Sequence, residues 1–217
     1  MIFTKFIKEF SKGFTFQNFA KKKLGGFTLI ELLIVLAILS VLAGTVVLVL
    51  NPGEILAEGR DAKRIGELNS LAEGITFQFN SVVGGYKGEK NKVYISLSDS
   101  SSTCNSLTSL LPNLSVGWSY HCVSAENLKK TDGTGWLPIS LNALPGGSPF
   151  NELPTDPKNL AAGNLFFAYV YGDAGYVLTS LLESESHRKD AEKDGGSDPN
   201  RYEIGSDLSL WANALGL

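Results

Sequence analysis

Phe27 to Leu50 is an unbroken apolar run of 24 residues, FTLIELLIVLAILSVLAGTVVLVL, with a single charge at Glu31. At about 1.5 Å rise per residue, a helix over this run is about 36 Å long, enough to cross a hydrocarbon core of about 30 Å. Asn51-Pro52-Gly53 then interrupts the pattern, because Pro removes a backbone donor and clashes with the preceding turn. Helical spacing resumes afterwards. Ile55, Ala62, Ile65, Leu68, Ala72, Ile75 and Phe79 recur every three or four residues, with Glu58, Asp61, Lys63, Arg64 and Glu67 largely filling the other face. The spacing predicts one long helix from 27 to about 80, bent or locally melted near Pro52. Its second half carries an apolar stripe for a globular domain to cover.

From Val82 the period changes. Gly84-Gly85 and Ser98 to Ser102 are turn and loop material. Short strand-like segments are predicted at Val93–Leu97, Val116–Val123, Trp136–Leu141, Leu165–Tyr171 and Tyr176–Leu182, with a weaker one at Arg201–Ile204. Gly172-Asp173-Ala174-Gly175 reads as the turn of a hairpin. A long helix followed by a predominantly antiparallel sheet is an α+β arrangement. The expected organisation is a basic leader over 1–26, a membrane-spanning helix over 27–50, its amphipathic second half over 51–80, and a β-rich globular domain over 81–217.

Composition adds a charge asymmetry. The 217 residues hold 19 Lys+Arg against 22 Asp+Glu, with 43% hydrophobic residues, which excludes a collagenous or wholly disordered chain. A net charge of −3 argues against a dedicated nucleic-acid binder, and no nucleic-acid site is identifiable. Six Lys and one Glu give residues 1–26 a charge of +5, which leaves −8 for the rest. A basic head followed by an apolar run is how an exported or membrane-inserted chain begins. Lys21-Lys22-Lys23 precede the run and no basic residue follows until Arg60, so the N-terminus is expected in the cytoplasm and the C-terminal part outside. A conventional secretion signal is the rival, since Val41-Leu42-Ala43 offers small residues before Gly44.

Glu31 is the informative residue. A carboxylate in the apolar zone costs about 2.5–3.5 kcal/mol on insertion scales and normally has a partner. A cut between Gly26 and Phe27 would create an α-amine four residues from Glu31, on the same helical face. The carboxylate would then pair with its own amine or with that of a neighbouring copy.

On these residues, Lys21-Lys22-Lys23-Leu24-Gly25-Gly26 and then Phe27 to Leu39, the chain resembles the type IV filament family of pilins and pseudopilins. The resemblance implies cutting by a prepilin peptidase after Gly26, N-methylation of Phe27, and assembly with copies of itself and other pilins through Glu31 and the apolar helix. It also implies a pilin-like fold, with the second half of the helix packed on an antiparallel sheet. Met1 to Ala20 make the leader longer than is usual, so they read as an extended leader or as a start placed too far upstream. Leu153-Pro154-Thr155-Asp156-Pro157 resembles a segment of pseudopilins.

Cys104 and Cys122, 18 apart, are expected to form a disulfide if their domain faces an oxidising compartment, the alternative being two buried thiols. Many pilins place a disulfide nearer the C-terminus, so the adhesive-loop reading attached to it does not carry over. His121 beside Cys122 suggests a catalytic pair, but neighbours on a strand point to opposite faces. His187 stands in a charged run. No Gly-x-Ser-x-Gly elbow and no phosphate-binding glycine loop occurs, so no catalytic residue is expected and the chain is read as no enzyme. Glu183 to Asp207 holds eight acidic residues, Glu183, Glu185, Asp190, Glu192, Asp194, Asp198, Glu203 and Asp207, with Arg188, Lys189, Lys193 and Arg201 among them. By analogy with major pseudopilins this is a calcium loop, and otherwise it is a solvated surface loop; no cofactor is expected.

The function these features imply is a filament subunit, held in the cytoplasmic membrane and then extracellular. The rivals are a pseudopilin of a type II secretion or DNA-uptake system, and a secreted or membrane-anchored binding domain.

Overall fold

The computed structural model describes residues 26–217. Helix α1 spans Leu29–Leu50 and helix α2 spans Pro52–Ser81. One residue separates them: Asn51, at φ 40° and ψ 72°, in the left-handed region that Asn tolerates better than most side chains. Pro52 is the first residue of α2, where its missing N–H is no loss and its fixed φ already suits a helix. The interruption expected near Pro52 is therefore a one-residue break, with the proline starting a helix rather than kinking one. The chain divides between Val49 and Leu50 into two units, and each is described by itself.

In the first unit, α1 has 22 residues, about 33 Å of helix. Its Leu, Ile and Val side chains are exposed from Leu29 to Val46, Leu33, Leu36 and Leu39 among them. Its hydroxyls are satisfied within the helix: Ser40 Oγ donates to the Leu36 carbonyl at 2.7 Å and Thr45 Oγ1 to the Leu42 carbonyl at 2.8 Å. Such a helix is long and apolar enough to cross a membrane.

The second unit is built on a five-stranded sheet in the order β2-β1-β3-β4-β5. Its strands are β1 (Lys92–Ser98), β2 (Ser119–Val123), β3 (Phe167–Tyr171), β4 (Tyr176–Leu181) and β5 (Arg201–Gly205). The pairs β1–β3, β3–β4 and β4–β5 are antiparallel, and β1–β2 is parallel. The predicted turn joins β3 to β4, closed by the Gly172 N–H donating to the Gly175 carbonyl at 2.8 Å. Residue Gly175 sits at φ 150°, and a Cβ there would run into Ser206 Oγ.

Register sorts the core into two layers. The cross-strand row Tyr94–Tyr169–Leu178–Ile204 faces α2, where Leu68, Leu71 and Ile75 are fully buried against it. The next row, Val93–Val170–Val177, faces the other way. It packs with Trp211 and Ala214 of α4 (Ser209–Leu215) and with Leu111 of the loop joining β1 to β2. Both faces of the sheet are covered, so the strands read as near-continuous apolar runs.

Three expectations change. Trp136–Leu141 is not a strand. Pro138 in its middle cannot donate to a ladder, and Trp136, Leu137 and Ile139 are buried as a coil segment with one isolated bridge, Asp132 to Ser140. Residues 116–118 form a turn before β2, leaving Val116 exposed. The buried face of α2 keeps the later part of the predicted apolar stripe, Leu68, Ala72 and Ile75, but not its start: Ile55 and Ala62 are exposed, whereas Asp61 and Arg64 are fully buried. Two short helices, α3 (Glu185–Ala191) and α4, had no counterpart in the predicted elements.

Candidate assembly site

Phe27 is 89% exposed ahead of α1, and Thr28 and Glu31 close the helix start reciprocally. The Thr28 N–H donates to Glu31 Oε2 at 2.9 Å, and the Thr28 hydroxyl donates to the same oxygen at 2.8 Å. In return the Glu31 N–H donates to Thr28 Oγ1 at 3.3 Å. This is a capping box, satisfying two of the donors that a helix N-terminus leaves open. Thr28 is a partner for Glu31 that the sequence reading overlooked, although the spacing Thr-x-x-Glu signals it. The carboxylate is thus held at the first turn of α1, where the positive end of the helix dipole also favours it. Phe27, whose α-amine would be freed by a cut after Gly26, stands one residue away from this cap. Lys21 to Gly25 and the rest of the leader lie outside the described residues.

A second constellation fixes α2 to the sheet unit. Arg64, fully buried, donates through Nε and Nη2 to both oxygens of Asp156, at 2.6 and 3.0 Å. Its Nη1 reaches Asp61 at 2.6 Å and Glu183 at 2.8 Å. Asp61 in turn accepts from the Glu183 and Ser184 N–H groups and from Ser184 Oγ. Asp156 also accepts from the Lys158 and Asn159 N–H groups, which closes a turn over residues 156–159. Burial alone would push Arg64 down, but Asp156, Glu183 and Asp61 offset this and hold it above its ordinary value. Burial would raise Glu183, yet Arg60, Lys158 and Arg64 together pull it down to about 2. Removing one member of such a buried set costs about 3–5 kcal/mol, since it strands the others.

The remaining candidates have structural partners. Cys104 and Cys122 are joined in a disulfide with a Cα–Cα distance of 5.3 Å. On β2, Tyr120 and Cys122 are buried on one face, while His121 turns to the other, its ring 5.0 Å from that of Tyr94. Burial pushes His121 down, with Lys92 adding to the effect. Ser184 Oγ lies 3.1 Å from His187 Nδ1 and so imitates a nucleophile and base, but it is fully buried, donates to Asp61 and caps α3. In the acidic stretch, Glu203 accepts from the Ser197 and Asp198 N–H groups, and Asp194 from the Gly196 and Glu203 N–H groups. Burial raises both Glu203 and Asp194. These carboxylates turn to backbone donors, and among the described residues no three His, Cys, Asp or Glu converge to hold a metal ion.

Residues 21–47 match the family described as the prokaryotic N-terminal methylation motif. The chain therefore carries a type IV prepilin-like signal, on an α+β, pilin-like arrangement of apolar helix, second helix and mostly antiparallel sheet. The motif supports a structural protein of the type IV pilin or pseudopilin kind, processed at its N-terminus and anchored through α1. No curated protein and no solved structure matches the chain.

Proposed function

We propose that the chain is a structural subunit of a type IV pilus-like filament with no chemistry of its own. A prepilin peptidase cuts after Gly26, the new amine at Phe27 is methylated, and subunits leave the cytoplasmic membrane to polymerise through α1. The observation that carries this reading is the methylation motif at the head of a 22-residue apolar helix whose side chains are exposed from Leu29 to Val46. An exposed apolar surface of that size demands lipid first and neighbouring helices afterwards. The disulfide supports an outward position for the sheet unit, since such bonds persist on the oxidising side.

In a filament, Glu31 pairs with the methylated amine of an adjacent subunit and sets its axial register. Glu31→Ala and Glu31→Gln both remove the charge, so insertion and cleavage should survive while filament yield collapses. Sheared surface filaments, compared with membrane-retained protein, measure this. Wild-type filament yield from both variants would show that Glu31 makes no assembly contact and would favour an anchored protein that never polymerises.

A further inference from the structure

The first residue of β5 is Arg201, only 3% exposed. Its Nε donates to Thr179 Oγ1 at 3.1 Å, and its guanidinium carbon lies 4.5 Å from the Trp211 ring centre and 5.5 Å from that of Phe166. Buried Nη2 has no hydrogen-bond partner, and among the described residues Arg201 enters none of the ion pairs within 4.0 Å. Burial pushes the guanidinium down to about 10, which still leaves it charged at neutral pH. This contrasts with Arg64, equally buried but met by three carboxylates.

Of the four other buried side-chain atoms without partners among the described residues, two are Nε1 of Trp211 and Oδ1 of Asn164. Arg201, Trp211 and Asn164 all line one cavity of about 300 Å³. A buried cation and an indole N–H are donors only, so what both lack is an acceptor. Arg188 and Asp198 also line the cavity, leaving its lining with one net positive charge. That balance suits a singly charged anion better than a doubly charged phosphate. Leu215 supplies apolar wall.

We propose that this cavity binds a small organic carboxylate, its oxygens accepting from Arg201 Nη2 and Trp211 Nε1 and its apolar body lying against Leu215. The guanidinium stacked on the indole is thereby held in place to receive a planar group.

The test uses the full chain in detergent micelles, titrated with sodium acetate against sodium chloride at constant ionic strength. The indole N–H resonance that disappears in Trp211→Phe identifies Trp211. Acetate should move that resonance saturably and chloride should not. Acetate should also raise the thermal midpoint by mass action. Arg201→Gln should lose that rise. Trp211→Phe keeps the ring beneath the guanidinium and removes only the donor, so it should need about 5-fold more acetate for the same rise. A non-saturating shift equal for the two salts, or an unchanged acetate requirement in Trp211→Phe, would overturn the proposal and leave the cavity to water. Saturation by phosphate but not by acetate would overturn the carboxylate assignment.

Discussion

Arg64 shows how one residue can be read correctly in type and wrongly in place. Helical spacing assigns it to a solvated face, because charged side chains are almost never fully buried unless paired. Its partners, Asp156 and Glu183, stand 92 and 119 positions further along, and no local pattern announces them. The Thr28–Glu31 cap is the opposite case, since both partners sit within one turn and the motif is visible without a structure. Glu183 offers a pH test of the buried set. Its folded-state pKa of about 2 lies below the ordinary 4.5, so its stabilisation is complete above about pH 4.5 and is lost as pH falls toward 2. The shift corresponds to about 3 kcal/mol. Asp194 and Glu203 are raised instead and act in the opposite sense, so the informative quantity is a difference between proteins. Denaturant unfolding of wild type and Glu183→Gln should show a stability gap that is widest above pH 5 and closes toward pH 2. A gap independent of pH would mean that Glu183 is not the titrating member.

The longest and most apolar elements were legible from sequence, because α1 and the second half of α2 repeat one signal over many turns. The β3–β4 hairpin was legible too, since a four-residue turn with two glycines brackets two apolar runs. Trp136–Leu141 was not, because burial alone makes a coil look like a strand until Pro138 is weighed. Nor was the parallel pairing of β2 with β1, which depends on a crossover of 20 residues, Asp99 to Trp118, whose path no periodicity specifies. The disulfide stabilises that crossover, tying Cys104 in the loop to Cys122 on β2. Closing such a loop is worth about 3 kcal/mol in the chain-entropy model. The Cys104→Ser, Cys122→Ser double variant should therefore unfold at a lower denaturant concentration by that amount, with α1 unaffected. Alkylation of unfolded, unreduced wild-type protein should label neither cysteine; labelling of both would place the sheet unit in a reducing compartment.

At the scale of the molecule, the two units carry different surfaces. The first presents an apolar helix whose one charge is capped at its start. The second is a closed α+β unit with both sheet faces covered and a buried ionic clamp on α2. On the proposed function, the first unit is the one that polymerises and the second is the one displayed. The proposed carboxylate cavity, lined by Arg201 and Trp211, belongs to the second unit. The methylation motif was legible because it is short and contiguous, whereas the sheet unit matches nothing that would name its surface. The most direct test is mass spectrometry of the N-terminal peptide from sheared surface filaments. It should begin at Phe27 and carry one methyl group on its amine. A peptide beginning at Gly44, or surface material that keeps residues before Phe27, would contradict the account.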